Sequence, residues 1–141
     1  MKNSYLGITL ILIAGGLLAG SYFWQNKGQE RSNLPQYATR TASVQAAYQH
    51  ALDNPELLQY IPCYCNCYQL GHKNVDECFI KEFKPDGKVV FDEHGANCGI
   101  CYATVLDSQL LFDQGKTIQE IREYVDNKYS SYGQGTNTPL P

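Results

Sequence analysis

The longest apolar stretch of the chain lies near its N-terminus. Residues 5–24 carry no charged side chain, and a helix of that length extends about 30 Å, the thickness of the hydrocarbon core of a bilayer. Aromatic side chains at both ends suit the membrane interfaces. The pattern predicts one N-terminal transmembrane helix within residues 1–24. The alternative is a cleaved signal peptide, with Lys2 as its charged region and small residues at 19–21 for cleavage.

Beyond this segment the chain alternates between polar stretches and helical periodicity. Residues 25–40 are mostly polar and predict a linker. Residues 41–52 have apolar side chains at helical spacing, namely Val44, Ala47, Tyr48, Ala51 and Leu52. Asn54 and Pro55 predict the start of a second, short helix, with Asn54 as its N-cap. A further helix is predicted over residues 98–114, and its expected apolar stripe is Ile100, Ala103, Thr104, Leu106, Leu110 and Leu111.

The last predicted helix begins at a capping box, Thr117 to Glu120, and runs to about residue 129. It is expected to bury Ile118, Ile121, Tyr124 and Val125. Between the helices the chain is irregular over residues 62–70, with one or two helical turns over 75–83 and a turn at 85–88. Residues 130–141 are rich in Gly, Ser, Thr and Pro and predict a disordered tail. The expected fold is mainly α: a small helical domain over residues 41–129 with a loop-rich, cysteine-bearing middle.

Composition excludes several classes of function. Among the 141 residues, 14 are acidic and 11 are basic, for a formal charge of −3. This balance argues against a nucleic-acid-binding protein, which needs a basic surface to neutralise phosphates. The sequence contains no glycine-rich phosphate loop, no zinc-protease motif and no serine-hydrolase motif. We therefore expect a protein that is not an enzyme. The carboxylates beside His94 and Cys78 are interpreted as solvated surface groups.

The most informative feature of the sequence for chemistry is a local concentration of cysteines. Six cysteines lie between Cys63 and Cys101, and three of them alternate within five residues. Thiolates select Cu(I), Zn(II) or iron–sulfur clusters, and the start of a helix favours thiolate over thiol, which lowers the expected pKa of Cys98 and Cys101. The pattern predicts a copper or zinc site. An iron–sulfur cluster is disfavoured because the sequence has no twin-arginine export signal. If the domain is exported, it would therefore cross the membrane unfolded and without a cofactor. The candidate ligands are Cys63, Cys65, Cys67, Cys78, Cys98, Cys101, His72 and His94.

Disulfide bonds are the competing explanation, and they would make the domain a disulfide-stapled structural or interaction module. The number of cysteines is even, and the expected compartment is oxidising. The simplest scheme links each cysteine of the 63–67 triplet to one of Cys78, Cys98 and Cys101. A thiol–disulfide oxidoreductase using Cys98 and Cys101 is a third hypothesis, although the flanking sequence lacks a thioredoxin-like pattern. His50 falls on a helical stripe and is assigned to packing or the surface.

Residues 62–67, with the sequence PCYCNC, resemble the signature of the bacterial PCYCGC-motif family, a group of envelope proteins without an established activity. The resemblance extends over about residues 44–129. Its other matching positions are Asn54–Pro55, Ile61, Gly71–Lys73, Cys78–Phe79, His94, Cys98–Cys101 and Gly115–Arg122. Asn66 replaces the glycine of the motif, and asparagine tolerates the left-handed backbone region better than most residues. The lipid-modified cysteine of many relatives is missing, and residues 5–24 would replace it as the anchor.

These observations predict a membrane-anchored, extracytoplasmic protein that binds a soft metal ion. Its role would be capture, buffering or handover of copper or zinc, with a metal-donor or metal-acceptor protein as partner. The count of basic residues near the apolar segment slightly favours a cytoplasmic domain. The short N-terminal tail before that segment has the usual shape of an export signal, and for this reason we expect the domain outside.

Overall fold

The computed structural model describes residues 34–141, which form one unit. The predicted transmembrane helix or signal peptide, and the first part of the linker, lie outside the described residues. Within the described part, no helix has both the length and the apolar character needed to cross a bilayer.

The α-helices are α1 (Ala42–Asp53), α2 (Pro55–Leu58), α3 (His94–Asn97), α4 (Gly99–Asp113) and α5 (Ile118–Tyr129). The strands are β1 (Ile80–Phe83) and β2 (Val89–Phe91). Short 3₁₀ helices span Gln36–Thr39, Cys67–Leu70, Asp76–Cys78 and Ser130–Tyr132.

Helix α1 follows its predicted pattern. The Thr41 side chain caps it by accepting a hydrogen bond from the backbone N–H of Val44. Its buried face consists of Val44, Ala47, Tyr48, His50 and Ala51, so the predicted stripe is largely confirmed. His50 is 3 % exposed and lies 3.1 Å from the Asn54 side chain through its Nδ1 atom, which agrees with a packing role.

Helix α4 is present where it was predicted, but its inward face differs from the expected stripe. The helix packs against α1 and α5 and buries Cys101, Thr104, Val105 and Ser108. Leu110, expected inside, is 57 % exposed. The two hydroxyls can be buried because Thr104 donates to the Ile100 carbonyl and Ser108 to the Thr104 carbonyl, both at 2.8 Å. Thr104 was part of the expected stripe, whereas Ser108 was not, because a hydrophobicity pattern does not identify a serine whose hydroxyl is bonded within the helix as a core residue.

Helix α5 confirms the predicted capping box, in which the side chains of Thr117 and Glu120 each bond the other residue's backbone N–H. Its buried residues are Ile121, Val125 and Tyr129. The prediction that Tyr124 is buried was wrong, since its side chain is 40 % exposed. Tyr129 lies one turn beyond Val125 and takes the inward position instead.

A β-hairpin occupies part of the segment expected to be helical. Only Asp76–Cys78 forms a helical turn there, and the chain then runs into β1, which pairs antiparallel with β2. The turn predicted at residues 85–88 connects the strands, with Gly87 at φ 87° and a 2.8 Å hydrogen bond between Lys84 N–H and the Lys88 carbonyl. Just before β1, Phe79 is fully buried against Tyr48 of α1, with ring centroids 4.9 Å apart. These long-range contacts favour the strand conformation and outweigh the weak helical pattern of residues 75–83.

The C-terminal tail also differs from its expected disorder. Thr136 and Thr138 are buried, and their hydroxyls lie 2.8 Å apart. Thr138 Oγ1 donates to the Lys73 carbonyl at 2.7 Å, and Arg122 of α5 donates to the carbonyls of Thr138 and Pro139. Composition predicted disorder because the tail has few apolar side chains, whereas specific hydrogen bonds attach it to the domain.

Candidate metal centre

The 63–67 triplet is held in place by the C-terminal tail. The backbone N–H of Cys63 donates to Thr136 Oγ1 at 2.9 Å, and the N–H of Thr136 donates back to the Cys63 carbonyl at 3.1 Å. Tyr64, the next residue, donates from its hydroxyl to Asp126 of α5 at 2.8 Å. The irregular backbone of the triplet therefore has defined hydrogen-bond partners far away in sequence, which fixes the direction of its side chains.

Asn66 turns the chain between the second and third cysteines of the triplet. Its φ of 65° and ψ of 17° lie in the left-handed region, and it is the only non-glycine residue with positive φ in the described part of the chain. The Asn66 side chain also accepts a hydrogen bond from the backbone N–H of Gln134 in the tail, at 3.2 Å. The turn leads directly into the Cys67–Leu70 helix, so Cys67 points into the core and is 1 % exposed.

The second thiol-bearing segment is the start of α4. Cys98 is the N-cap, and its Sγ accepts a hydrogen bond from the Cys101 backbone N–H at 3.4 Å. Cys101, in the first turn, is fully buried. The preceding short helix α3 begins at His94, whose N–H donates to Asp92 Oδ1 at 2.7 Å. The geometry of the helix start thus places the thiols of Cys98 and Cys101 close to Cys65 of the triplet.

The two segments meet around Cys65. Its Sγ lies 3.4 Å from the Sγ of Cys63, 3.3 Å from that of Cys101 and 3.4 Å from His94 Nε2. The sulfurs of Cys63 and Cys101 are 3.5 Å apart. Sulfur ligands at about 2.3 Å from a tetrahedral zinc ion lie about 3.8 Å from one another. The cluster is therefore slightly tighter than a zinc site and would need only small side-chain rotations to hold an ion.

Cys78 and its neighbours form the inner side of the cluster. The Sγ of Cys78 lies 3.6 Å from that of Cys67 and 3.4 Å from His72 Nδ1. His72 Nε2 in turn lies 3.9 Å from Asp92 Oδ2, and Lys81 bonds the same carboxylate at 3.2 Å. Asp92 is 8 % exposed, so the interpretation of Asp92 as a solvated surface group was wrong.

The cysteine and histidine side chains form three overlapping sets of four ligand atoms, and within each set all four atoms lie within 4.8 Å of one another. They are Cys63, Cys65, Cys78 and Cys101; Cys65, Cys67, Cys78 and His94; and Cys65, His94, Cys98 and Cys101. These sets contain seven of the eight ligands predicted from sequence. The eighth, His72, contacts Cys78 but belongs to none of the three sets.

The crowded thiols do not share one pKa. Hydrogen bonding from Cys101 lowers the pKa of Cys63 to about 4 and also lowers the pKa of Cys65. The same contacts, with Cys63 and then Cys65 contributing most, raise the pKa of Cys101. The bond with Cys101 lowers the pKa of Cys98, but Cys65 and burial outweigh it and raise that pKa to about 11. The pKa values of Cys98 and Cys101 are therefore not lowered as expected at the helix start, because one ionised thiol disfavours the ionisation of its neighbours. A bound cation would allow these thiols to ionise together.

All six cysteines, each within the described residues, are free thiols. The structure therefore does not support the alternative of disulfide staples between the triplet and Cys78, Cys98 and Cys101.

A family model described as "Protein of unknown function with PCYCGC motif" matches residues 22–141. The chain belongs to this PCYCGC family. No curated protein and no solved structure matches the chain. The family resemblance seen in the sequence is thus confirmed, and the chemistry of the site has to be argued from its geometry.

The motif segment, residues 62–67, depends on residues that the sequence did not single out. Thr136 binds the first cysteine of the motif on both backbone groups, and Tyr64 anchors the motif to α5. Thr136 lies in a stretch of small and polar residues without periodicity, so no sequence pattern marked it. Asn66, in contrast, was marked by its departure from the glycine of the motif, and its left-handed conformation agrees with that expectation.

Proposed function

We propose that this protein binds copper or zinc through clustered cysteine thiolates, with His94 as a nitrogen ligand. The observation that carries the proposal is the convergence of Cys63, Cys65, Cys78 and Cys101, whose sulfurs lie within 4.8 Å of one another. Four sulfurs from three separate parts of the chain meet there, and core packing alone does not require this arrangement. The donor set is soft, and soft donors select Cu(I) and Zn(II) over hard cations such as magnesium or calcium.

The burial of the ligands indicates how an ion would reach the cluster. Cys63, Cys78 and Cys101 are fully buried, whereas Cys65, His94 and Cys98 are partly exposed. An ion could therefore reach the cluster from the side of Cys65 and be enclosed by the buried thiolates. Such an arrangement suits capture and handover of a metal ion, in which a donor or acceptor protein approaches the exposed ligands.

The proposed setting is the outside of a cell membrane. Residues 5–24 would anchor the chain, or direct its export as a cleaved signal peptide, and the domain would receive its ion outside the cytoplasm. Protease accessibility of the domain in intact cells tests this placement. Full protection of the domain, with digestion after lysis, would contradict it.

Metal analysis of the reduced protein tests the binding itself. The full chain is purified anaerobically with reductant, and bound metal is counted after loading with Zn²⁺ or Cu(I). We expect at least one equivalent of tightly bound metal. Loss of a direct ligand in Cys101→Ser should weaken Zn²⁺ binding by more than the roughly 10- to 100-fold typical of outer-shell substitutions.

Two controls make the result specific. His94→Gln should weaken Zn²⁺ binding, whereas His50→Gln, which changes a buried histidine of α1 outside the three ligand sets, should leave it unchanged. Alkylation without reductant separates the proposal from the disulfide alternative. Less than one equivalent of metal on a folded protein with six reactive thiols would contradict metal binding.

A further inference from the structure

We infer that the cluster holds two metal ions that share the thiolates of Cys65 and Cys101. This inference rests on the proposed function, because it assigns the number and arrangement of the ions at that same site. It begins from the overlap among the three ligand sets, each of which is large enough to complete a tetrahedral ion.

The number of ligands is larger than a single tetrahedral ion needs and too small for three independent ions. The three sets contain seven different residues, which is more than one tetrahedral ion uses and fewer than three separate ions need. Cys65 belongs to all three sets. If more than one set is filled, the thiolate of Cys65 must therefore bind two ions at once.

The chemistry of the shared atoms decides which sets can be filled together. A thiolate sulfur has several lone pairs and can bridge two ions, whereas a neutral imidazole has one acceptor nitrogen with one lone pair. The two sets that contain His94 share that single nitrogen, so they cannot be filled at the same time. One ion must then occupy the set of Cys63, Cys65, Cys78 and Cys101.

The second ion is assigned to the set of Cys65, His94, Cys98 and Cys101. Three of these residues are partly exposed, and Cys101 is buried next to the first ion's ligands. Cys98 is already oriented at the N-cap by the N–H of Cys101. The competing set uses Cys67 and Cys78, both buried, and it offers an incoming ion less access from solvent.

Charge balance is compatible with two ions. The two sets together contain five cysteines and one histidine. Two divalent ions compensate all but about one of the five negative charges of the ionised thiols, which leaves little net charge in a largely buried site.

Native mass spectrometry and cadmium NMR of the full chain in detergent test the inference. With Zn²⁺ under reducing, anaerobic conditions, we expect two bound ions. With ¹¹³Cd²⁺ as the probe, we expect two resonances that split one another, because scalar coupling between the two nuclei requires a bridging sulfur. Two unsplit resonances would overturn the shared thiolates. A single bound ion would overturn the two-ion site while leaving the proposed function intact, and no bound ion would contradict both.

A pair of cysteine variants locates the second ion. Cys98→Ser should reduce the bound Zn²⁺ from two ions to one. Cys67→Ser is the matched comparison, because it removes one thiol from the competing set, and it should retain two ions. The reverse pattern, with one ion in Cys67→Ser and two in Cys98→Ser, would overturn the assignment. Circular dichroism of each variant establishes that it is folded.

Discussion

The two thiol-bearing segments reach the same centre by different means. At the start of α4, Cys98 and Cys101 are placed by local geometry, since the N-cap sulfur accepts the Cys101 N–H three residues ahead. In the 63–67 triplet, Cys63 is placed by Thr136, which is 73 residues away in sequence. One half of the centre therefore depends on helix formation and the other half on remote hydrogen bonds.

This difference implies different sensitivities to substitution. The helical segment should respond mainly to changes in packing around α3 and α4. The triplet should respond to changes in the tail, even though the tail contributes no metal ligand. Substitutions that affect one segment at a time can therefore separate the stability of the domain from the geometry of the centre.

The largest effect is expected at the helical segment, from Gly95→Ala. A Cβ at position 95 would lie 2.5 Å from ring atoms of Phe79 and 2.8 Å from the Cys78 carbonyl. Neither the fully buried ring nor the backbone can move freely, so we expect a loss of about 3 kcal/mol in the free energy of unfolding. Denaturant unfolding of the reduced, metal-free protein measures it. Since His94 precedes this residue, Zn²⁺ affinity should fall as well.

Gly99→Ala is the matched control for this packing effect. Position 99 is the first residue of α4 and, like position 95, lies in the first turn of a helix near the centre, but a Cβ there would meet its nearest neighbour, the Tyr102 hydroxyl, at 3.6 Å. This is an ordinary contact, so the free energy of unfolding should change by less than about 1 kcal/mol. Equal losses in the two variants would contradict the close packing of Gly95 against Phe79.

A smaller effect is expected at the triplet, from Thr136→Val. The substitution keeps the shape of the side chain but removes the oxygen that accepts the Cys63 N–H. Leaving this buried donor unsatisfied should cost about 2 kcal/mol, as measured by denaturant unfolding. Zn²⁺ affinity should also fall, because Cys63 loses part of its support. Asn137→Ala, at an exposed position between Thr136 and Thr138, is the control and should change neither quantity. No change in Thr136→Val would show that the tail does not position the triplet.

The same contrast explains how much could be predicted from the sequence. Helices α1, α2, α4 and α5, the α5 capping box and the thiols at the start of α4 follow from short-range patterns and were predicted, whereas the short helix α3 was not. The β-hairpin and the ordered tail were not, because Phe79 is buried against Tyr48 and Thr136 binds Cys63 only in the folded chain. The inward face of α4 was predicted only in part, since Thr104 was expected inside, whereas Ser108 was not and is buried with its hydroxyl bonded within the helix. Seven of the eight candidate ligands belong to the three sets of neighbouring ligand atoms; cysteine spacing carries chemical information that hydrophobic periodicity does not, and their role as metal ligands stays a prediction.

The smallest effect is expected at Asn66, where two contributions can be separated. Asn66→Ala removes both the tolerance for a φ of 65° and the side-chain oxygen that accepts the Gln134 N–H. Asn66→Gly restores the backbone tolerance but not the oxygen. We expect Asn66→Ala to lose about 1 kcal/mol of unfolding free energy relative to the wild type. Asn66→Gly should fall between the two, because glycine also increases the entropy of the unfolded chain.

Zn²⁺ affinity then identifies which contribution matters for the centre. The turn at Asn66 separates Cys65, which belongs to all three ligand sets, from Cys67. If the left-handed backbone sets the direction of these thiols, Asn66→Gly should bind Zn²⁺ like the wild type while Asn66→Ala binds it more weakly. If both variants bind more weakly and to the same extent, the bond to the tail is the controlling contact and the backbone conformation is not. Because the two substitutions differ by one methyl group at one position, the comparison assigns the effect to a single dihedral angle of the motif.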